Sequence, residues 1–147
     1  MDHVEYVYTI GMSDEEVREH LERVDTGVLA LAADDDAYAI PVAHHYDSGS
    51  LYVRLSTDGS SEKRSYLEHT ETACLTMYDV SASGDSWSIV ATGPLRKLTG
   101  RERAQFDDTA VNESFLDLRI FDEDVAAVDL EIYELEAESI TGRRTAD

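Results

Sequence analysis

The amino-acid sequence predicts a mainly β fold, a small antiparallel β-barrel with helices packed on its outside. Three observations lead to this prediction. About six segments have the composition and alternation of strands, only about three have the pattern of helices, and short turns connect strands where a parallel sheet would need strand–helix–strand crossovers. Strands that follow each other so closely pair antiparallel, and a small sheet of this kind favours a barrel.

The first predicted element is a helix that follows Ser13. Ser13 and Glu16 form a capping box, in which each side chain accepts a hydrogen bond from a free backbone N–H of the other residue. An apolar stripe at helical spacing then predicts the buried face of this helix. The stripe consists of Val17, Leu21 and Val24.

Six strands are predicted after this helix. The first three form a meander, because the polar turns Asp34-Asp35-Asp36 and Asp47-Ser48-Gly49 separate them. The fifth contains Gly93-Pro94, which indicates a bulge or a sheet edge, and the sixth has apolar residues in both alternation phases, which indicates a bulge near Ile132. The predicted strands span residues 28–33, 38–46, 51–56, 72–80, 86–98 and 128–137.

Two further helices are predicted among these strands. One spans residues 62–69 and follows a pair of serines that can cap it. Thr99 and Glu102 repeat the capping-box pattern, so the other helix is expected to start there and to end near Asn112.

The chain is strongly acidic. Its 32 acidic and 12 basic residues leave a formal net charge of −20, against a magnitude of about 2–8 for a small domain. Such a charge repels nucleic-acid phosphates, so no nucleic-acid partner is expected. Spread acidity with only two lysines is typical of proteins from a high-salt cytoplasm, so we expect a halophilic source. The alternative is an acidic surface that binds a partner.

Length and composition exclude several protein classes. The 147 residues suit a single domain, residues 1–147. The longest apolar run, residues 28–33, is far shorter than the ~20 residues that span a bilayer, and the first residues lack the pattern of a secretory signal. Cys74 is the single cysteine, which excludes an internal disulfide. We therefore expect a cytoplasmic protein without a membrane partner.

Motifs for catalysis are scarce. The dinucleotide, P-loop, serine-elbow and zinc-protease motifs are missing. His44 and His45 are neighbours on a predicted strand and point to opposite faces, so they cannot hold one metal ion, and we expect one of them on the barrel surface near Pro41. The alternative is that both complete hydrogen bonds at a strand end. Tyr38, His44 and His45 are candidates for an acid or base, and no metal site is predicted.

A basic segment in this acidic chain is the strongest local signal. Residues 54–64, the basic segment, hold three of the 12 basic residues and four hydroxyl residues where a strand ends and a helix begins. Free backbone N–H groups and the helix dipole both attract an anion at such a point. The segment predicts a site for one phosphate group, with a polar loop and an ion-paired helix start as the alternative. Its candidate ligands are Arg54, Ser56, Thr57, Ser61, Lys63 and Arg64.

One predicted strand has a face of small residues. Ala39, Pro41 and Ala43 would let a flat ring system lie against the backbone of this strand. Trp87 and Ser88 begin a later strand and are candidates to cover the ring or to bond its edge. Together with the phosphate site, these residues predict a phosphorylated planar cofactor. Tight sheet packing and an ordinary core tryptophan are the alternatives.

These segments together resemble the pyridoxamine 5'-phosphate oxidase-like superfamily of FMN-binding split barrels. Within it, the chain is similar to the small branch of flavin-nucleotide-binding or nitroimidazole-resistance-like proteins. The resemblance rests on the order and spacing of short segments over most of the chain. These are Glu15-Glu16-Val17, Thr26-Gly27-Val28-Leu29-Ala30, Ala39-Ile40-Pro41-Val42, Ser61-Glu62-Lys63, Trp87-Ser88-Ile89-Val90 with Gly93, Tyr133-Glu134-Leu135, and Ile140-Thr141-Gly142-Arg143.

The resemblance implies a fold, a cofactor and a partner. The fold is a six-stranded antiparallel split barrel of Greek-key type, and the partner is a second copy of the chain. Two equivalent FMN molecules would lie at the interface of this homodimer. The residues implied to line the isoalloxazine ring and the ribityl chain are Tyr38, Ala39, Ile40, Pro41 and Val42.

The resemblance also implies roles in the phosphate site and at the ring edge. Ser56 and Thr57 match the hydroxyl pair near the phosphate, and Lys63 matches the phosphate lysine. Ser88 matches a polar contact to the ring edge, and Trp87 is expected to approach the flavin of the partner chain.

Two departures from the family pattern bear on the reaction. Ser61-Glu62-Lys63 stands where the oxidases carry Ser-Arg-Lys, so Arg54 and Arg64 are the candidates to replace that arginine. The C-terminal tryptophan and arginine substrate motif is also missing, so oxidation of pyridoxamine phosphate is not expected. The expected function is an FMN-binding flavoprotein and oxidoreductase acting on an unidentified small substrate. The alternative is a non-catalytic flavin, deazaflavin or haem carrier.

Overall fold

The computed structural model describes residues 9–57, 61–106, 115 and 129–146, which form nine strands and three helices. All neighbouring strands pair antiparallel in one sheet. In chain order the elements are β1 (Thr9–Gly11), α1 (Asp14–Arg23), β2 (Thr26–Ala33), β3 (Asp36–Asp47), β4 (Ser50–Thr57), α2 (Ser61–His69), β5 (Ala73–Val80), β6 (Ser86–Gly93), β7 (Leu95–Lys97), α3 (Gly100–Ala104), β8 (Asp129–Leu135) and β9 (Ser139–Thr145).

The sheet closes into a barrel because its two edges are joined through consecutive strands. The strand order is β1-β9-β6-β5-β2-β3-β4-β8-β7, so β6 and β7 lie near opposite edges although only Pro94 separates them in the chain. β8 and β9 are related in the same way. Hydrogen bonds from the Glu136 N–H to the Pro94 carbonyl (2.9 Å) and from the Glu138 N–H to the Thr92 carbonyl (2.8 Å) tie the two corners together. The predicted mainly β split barrel with outer helices is confirmed.

The main core fills the interior of this barrel. It draws buried apolar side chains from β2 to β6 and from β8, and the predicted apolar stripe of α1 covers it. Leu29, Val53, Leu75 and Ile89 are completely buried and come from four different strands. The single cluster shows that alternate residues of these strands point to one common interior.

The six predicted strands are all present, but three more features raise the count to nine. Pro94 cannot donate a ladder hydrogen bond and divides the fifth predicted strand into β6 and β7. β1 and β9 were not predicted from the sequence. They pair with each other, and β9 contains only one large apolar residue, Ile140, so its alternation signal is weak.

A second, smaller core lies on the outer side of β3, β4 and β8. The rings of His45, Tyr52, Phe106 and Phe115 meet there at centroid distances of 5.1–6.4 Å. The chain that follows β7 thus covers this part of the outer surface. The buried apolar members of the cluster are Ala43, Leu98, Phe106, Phe115 and Ile132.

This second core explains the apolar pattern of β8. Tyr133 and Leu135 face the main core, whereas Ile132 faces the second one. Both faces of β8 are therefore covered, and both alternation phases are apolar. The bulge predicted near Ile132 is wrong, because β8 pairs with β4 without interruption from Leu135 to Asp129.

The helix predictions have two outcomes. The capping box of α1 is confirmed, with both hydrogen bonds between Ser13 and Glu16 at 3.2 Å. The capping box predicted for α3 is wrong. Thr99 is the N-cap, but its side chain makes no capping bond, and the Glu102 carboxylate binds the guanidinium of Arg96 at 2.7 and 2.8 Å. The predicted end of this helix near Asn112 lies outside the described residues. Among the described helices, none is long and apolar enough to cross a membrane.

Candidate functional site

The basic segment lies where β4 ends and α2 begins. Thr57 ends β4, where it pairs with Asp129, and Ser61 is the first residue of α2. The Lys63 side chain is 5% exposed, although it is one of only two lysines in a chain of net charge −20. Residues 58–60 and the side chains of Ser56, Thr57 and Ser61 lie outside the described part. A buried cationic side chain in the first turn of a helix is the arrangement that binds an anion.

Arg64, in contrast, is exposed and lies toward β8. Burial, helped by the charge of Glu131, raises the pKa of the Tyr133 hydroxyl, and the positive charge of Arg64 opposes this shift. The Tyr133 hydroxyl donates to Glu131 at 3.1 Å. The two cations of α2 therefore lie in different surroundings, one buried and one at the surface.

α2 is held over one end of the barrel. Tyr66 stacks on Tyr38 of β3 with a centroid distance of 5.1 Å and an interplanar angle of 15°. The Ala32 N–H donates to the Thr70 hydroxyl just after the helix, at 3.2 Å. These contacts hold the middle and the C-terminal end of α2 against β3 and β2. Tyr38 thus serves as an anchor for α2.

The predicted ring-binding strand, β3, alternates between the barrel interior and the outer surface. Ile40 and Val42 belong to the main core, so only their backbone groups remain for a ligand. Ala39 and Pro41 are exposed on the outer face. Arg54 of β4 pairs with Ala43 on that same side. The outer face of β3 therefore offers small side chains with an arginine nearby.

This face continues across three more strands without a charged side chain. Strand pairing forms two neighbouring rows on this face, and each row contains one residue from each of β3, β2, β5 and β6. We call these eight residues the uncharged outer face. Its first row is Pro41, Val28, Thr76 and Val90, and its second row is Ala39, Ala30, Cys74 and Thr92.

Trp87 and Ser88 begin β6, three strands away from β3. They point to opposite sides of the sheet. Ser88 lies beside the uncharged outer face, where it pairs with the exposed Tyr78, whereas Trp87 packs against the main core and the His20 ring at 4.7 Å. Within one chain, β5 and β2 lie between these two residues and β3, so the predicted site residues form two separate groups.

His44 and His45 point to opposite faces, as predicted. His45 is on the outer side with Pro41, but the aromatic rings of the second core surround it. His44 is 1% exposed, and both of its ring nitrogens lack a hydrogen-bond partner among the described residues. Burial lowers the pKa of His44 to about 4, so the ring is neutral at pH 7. The alternative that both complete hydrogen bonds is thus wrong for His44.

Comparisons with known proteins agree with this architecture. A FAD-binding protein from Mesorhizobium loti superposes with a TM-score of 0.75 at 15% identity, covering 94% of this chain and 99% of the other. A candidate 5-nitroimidazole antibiotic resistance protein from Bacteroides thetaiotaomicron gives 0.69 at 14% identity, with coverage of 100% and 99%. A FAD and haem binding protein from Mycobacterium smegmatis gives 0.66 at 17% identity, with coverage of 92% and 72%. These likenesses establish the fold.

Sequence comparison gives the family. Among curated proteins, none gives a significant match to the chain. The family described as pyridoxamine 5'-phosphate oxidase matches residues 13–144. This range includes all the elements from α1 to β9, except the last residue of β9. The chain belongs to the pyridoxamine 5'-phosphate oxidase family.

Proposed function

We propose that this protein binds a flavin nucleotide, FMN in the first instance, and that it is an oxidoreductase acting on a small substrate. One observation carries the proposal. Lys63, a buried lysine in an otherwise acidic molecule, lies in the first turn of α2, a helix that contacts β3 through the stacked rings of Tyr66 and Tyr38. Phosphate groups bind at the N-termini of helices and to cationic side chains. A nucleotide phosphate fits this position by its charge and by the place of Lys63 at a helix start.

The residues present fit such a cofactor. Lys63, the backbone N–H groups at the start of α2 and Arg54 would hold the phosphate, with Arg64 as a further cation at the surface. Ala39 and Pro41 leave room for a flat ring close to the backbone of β3. When bound, a flavin supplies the capacity to accept and return electrons, and the protein supplies its position and hydrogen bonds.

A homodimer would complete this site. The uncharged outer face spans β3, β2, β5 and β6, with β2 and β5 at its centre. A two-fold axis that runs along the strands through that centre would bring β6 of one chain over β3 of the other, and so Ser88 near Pro41. An uncharged face also lets two chains of charge −20 approach with the least repulsion. Trp87 points away from this face, so the dimer arrangement does not require it.

The test is flavin binding by the protein as isolated and after titration. We expect a yellow protein, or uptake of added FMN with a shift in flavin fluorescence. Lys63→Met keeps the apolar stem but removes the charge, and it should weaken FMN about 10- to 100-fold, the effect of a charge-assisted hydrogen bond. Lys63→Arg should restore part of the affinity.

Lys97→Met is the matched control, since Lys97 is the second lysine and is exposed, where it pairs with Glu131. It should leave FMN affinity unchanged. Thermal unfolding of each variant checks that the fold is intact. A folded protein that takes up no FMN, or equal affinities for the two methionine variants, contradicts the proposal.

A carrier is the second candidate, because the similar Mycobacterium smegmatis structure is of a FAD and haem binding protein. Parallel titrations with FMN, FAD and haem distinguish the ligands. Reduction of the flavin-loaded protein by NADH or NADPH and its reoxidation by an added acceptor over many turnovers would support the oxidoreductase function. Tight binding without turnover favours the carrier.

A further inference from the structure

A cleft of about 560 Å³ lies at the barrel end where α1 crosses the start of β6 and the end of β9. Its volume is within the range of small-molecule sites. We call it the Trp87 cleft. The residues that the argument uses are Trp87, His20, Asp79, Asp85 and Arg144.

One wall of this cleft is aromatic. Trp87 and His20 lie with ring centroids 4.7 Å apart and tilted by 57°. Trp87 is only partly buried and stands between Asp79 on β5 and Arg144 on β9, its partners in the two neighbouring strands. A planar ligand could therefore contact the indole on its cleft side.

His20 presents a hydrogen-bond acceptor to the cleft. Its Nδ1 lies 2.8 Å from the backbone carbonyl of Glu16, and because a carbonyl only accepts, Nδ1 must carry the proton. In the neutral ring, Nε2 then carries a lone pair. Within the described part of the chain, Nε2 has no hydrogen-bond partner, so it is left to accept from a ligand.

The charges around the cleft favour a cation. The guanidinium of Arg144 is matched by the carboxylate of Glu16, 2.6 Å away, and hydrogen bonds from Ser13 and Arg144 lower the pKa of Glu16, so this pair stays ionised. Asp79 and Asp85 add two carboxylates to the cleft wall, and neither forms an ion pair with any of the described residues. One oxygen of Asp79 accepts from the Val80 N–H at 2.8 Å, which orients that carboxylate.

We propose that the Trp87 cleft binds a small, planar, cationic aromatic molecule with N–H donors, of the amidinium or aminopyridinium class. The indole face attracts the cation, the carboxylates of Asp79 and Asp85 balance its charge, and Nε2 of His20 accepts from an N–H group. The cleft lies away from the uncharged outer face, so this proposal stands apart from flavin binding.

Trp87 also supplies the test, because it is the only tryptophan in the chain. Three probes of nearly equal shape differ in charge: benzamidinium, benzamide and benzoate. At constant ionic strength, benzamidinium should change the tryptophan fluorescence in a saturable way. The affinity for benzamide should be lower by a factor of roughly ten or more, and benzoate should not bind. Calorimetry repeats the titration with FMN added, where flavin absorption would disturb the fluorescence.

Variants identify the residues. Asp79→Asn with Asp85→Asn should weaken benzamidinium roughly tenfold or more, and His20→Phe, which keeps a ring beside Trp87, should weaken benzamidinium by a smaller factor. Asp47→Asn, at an exposed aspartate that ends β3, is the control and should change nothing. Equal binding of benzoate and benzamidinium, no saturable signal, or full affinity in the double variant would overturn the proposal. Because no readout needs flavin, its failure is separate from that of the proposed function.

Discussion

His44 is a polar side chain enclosed in the apolar interior of the barrel, opposite Val53 on β4. Neither of its ring nitrogens has a hydrogen-bond partner within the described part of the chain. Desolvation dominates the lowering of its pKa to about 4, and the opposing charge of Asp25 is the smaller effect. An unfolded chain binds a proton on this ring below about pH 6.5, the folded chain only below about pH 4. The unfolding free energy therefore falls as the pH is lowered between these two values.

The prediction at this scale concerns His44→Leu, which removes both ring nitrogens. When the pH is lowered from 7.5 to 5, the contribution of His44 should lower the unfolding free energy of the wild-type protein by about 2 kcal/mol. This part of the pH dependence should be missing in the variant. Urea unfolding at both pH values measures it. His69→Ala, at an exposed histidine, serves as the control and should keep the wild-type slope. If His44→Leu keeps the full slope as well, the drop comes from other groups.

Among the elements, the corner between β6 and β7 decides whether the barrel closes. A Cβ atom on Gly93 would lie 2.1 Å from the backbone carbonyl oxygen of Glu136, in the segment between β8 and β9. Gly93→Ala should therefore push the two corners apart and lower the unfolding free energy by about 2–4 kcal/mol.

Urea or thermal unfolding tests this prediction. Gly11→Ala is the matched control, since a Cβ there meets nothing within 4 Å, and it should stay within about 0.5 kcal/mol of wild type. Equal stability of the two alanine variants would mean that the corner has room to adjust.

The elements also show why sequence reasoning succeeds in some places. The predicted strands agree with β2 to β6 and β8 within about two residues, apart from the division at Pro94, because polar turns or breaks in the apolar pattern mark their ends. The position of Lys63 could be predicted since a cation is conspicuous in an acidic chain. The Trp87 cleft could not, because α1, β5, β6 and β9 come together only through strand pairing. Strand alternation predicts that Trp87 and Ser88 point to opposite faces, but which face each of them takes follows only from its position in the sheet.

For the whole molecule, the distribution of charge matters as much as its sum. The net charge is −20, yet the uncharged outer face carries none of it, so the carboxylates crowd the rest of the surface. Some occur in runs, such as the turn between β2 and β3, where Asp34 and Asp35 have φ angles of 51° and 66°. Asparagine tolerates this left-handed conformation as well as aspartate does. Replacing these aspartates by asparagines therefore changes the charge of the turn with little change in its backbone strain.

The last prediction is that salt stabilises this protein by screening its self-repulsion. Raising the ionic strength from about 0.02 M to about 0.5 M shortens the screening length from about 20 Å to about 4 Å, and the melting temperature should rise by about 5 °C or more. Asp34→Asn with Asp35→Asn reduces the net charge from −20 to −18, because two carboxylates are removed. The double variant should melt higher than wild type at low salt, and the difference should shrink at high salt. A melting temperature independent of salt would mean that the acidic surface serves a partner instead.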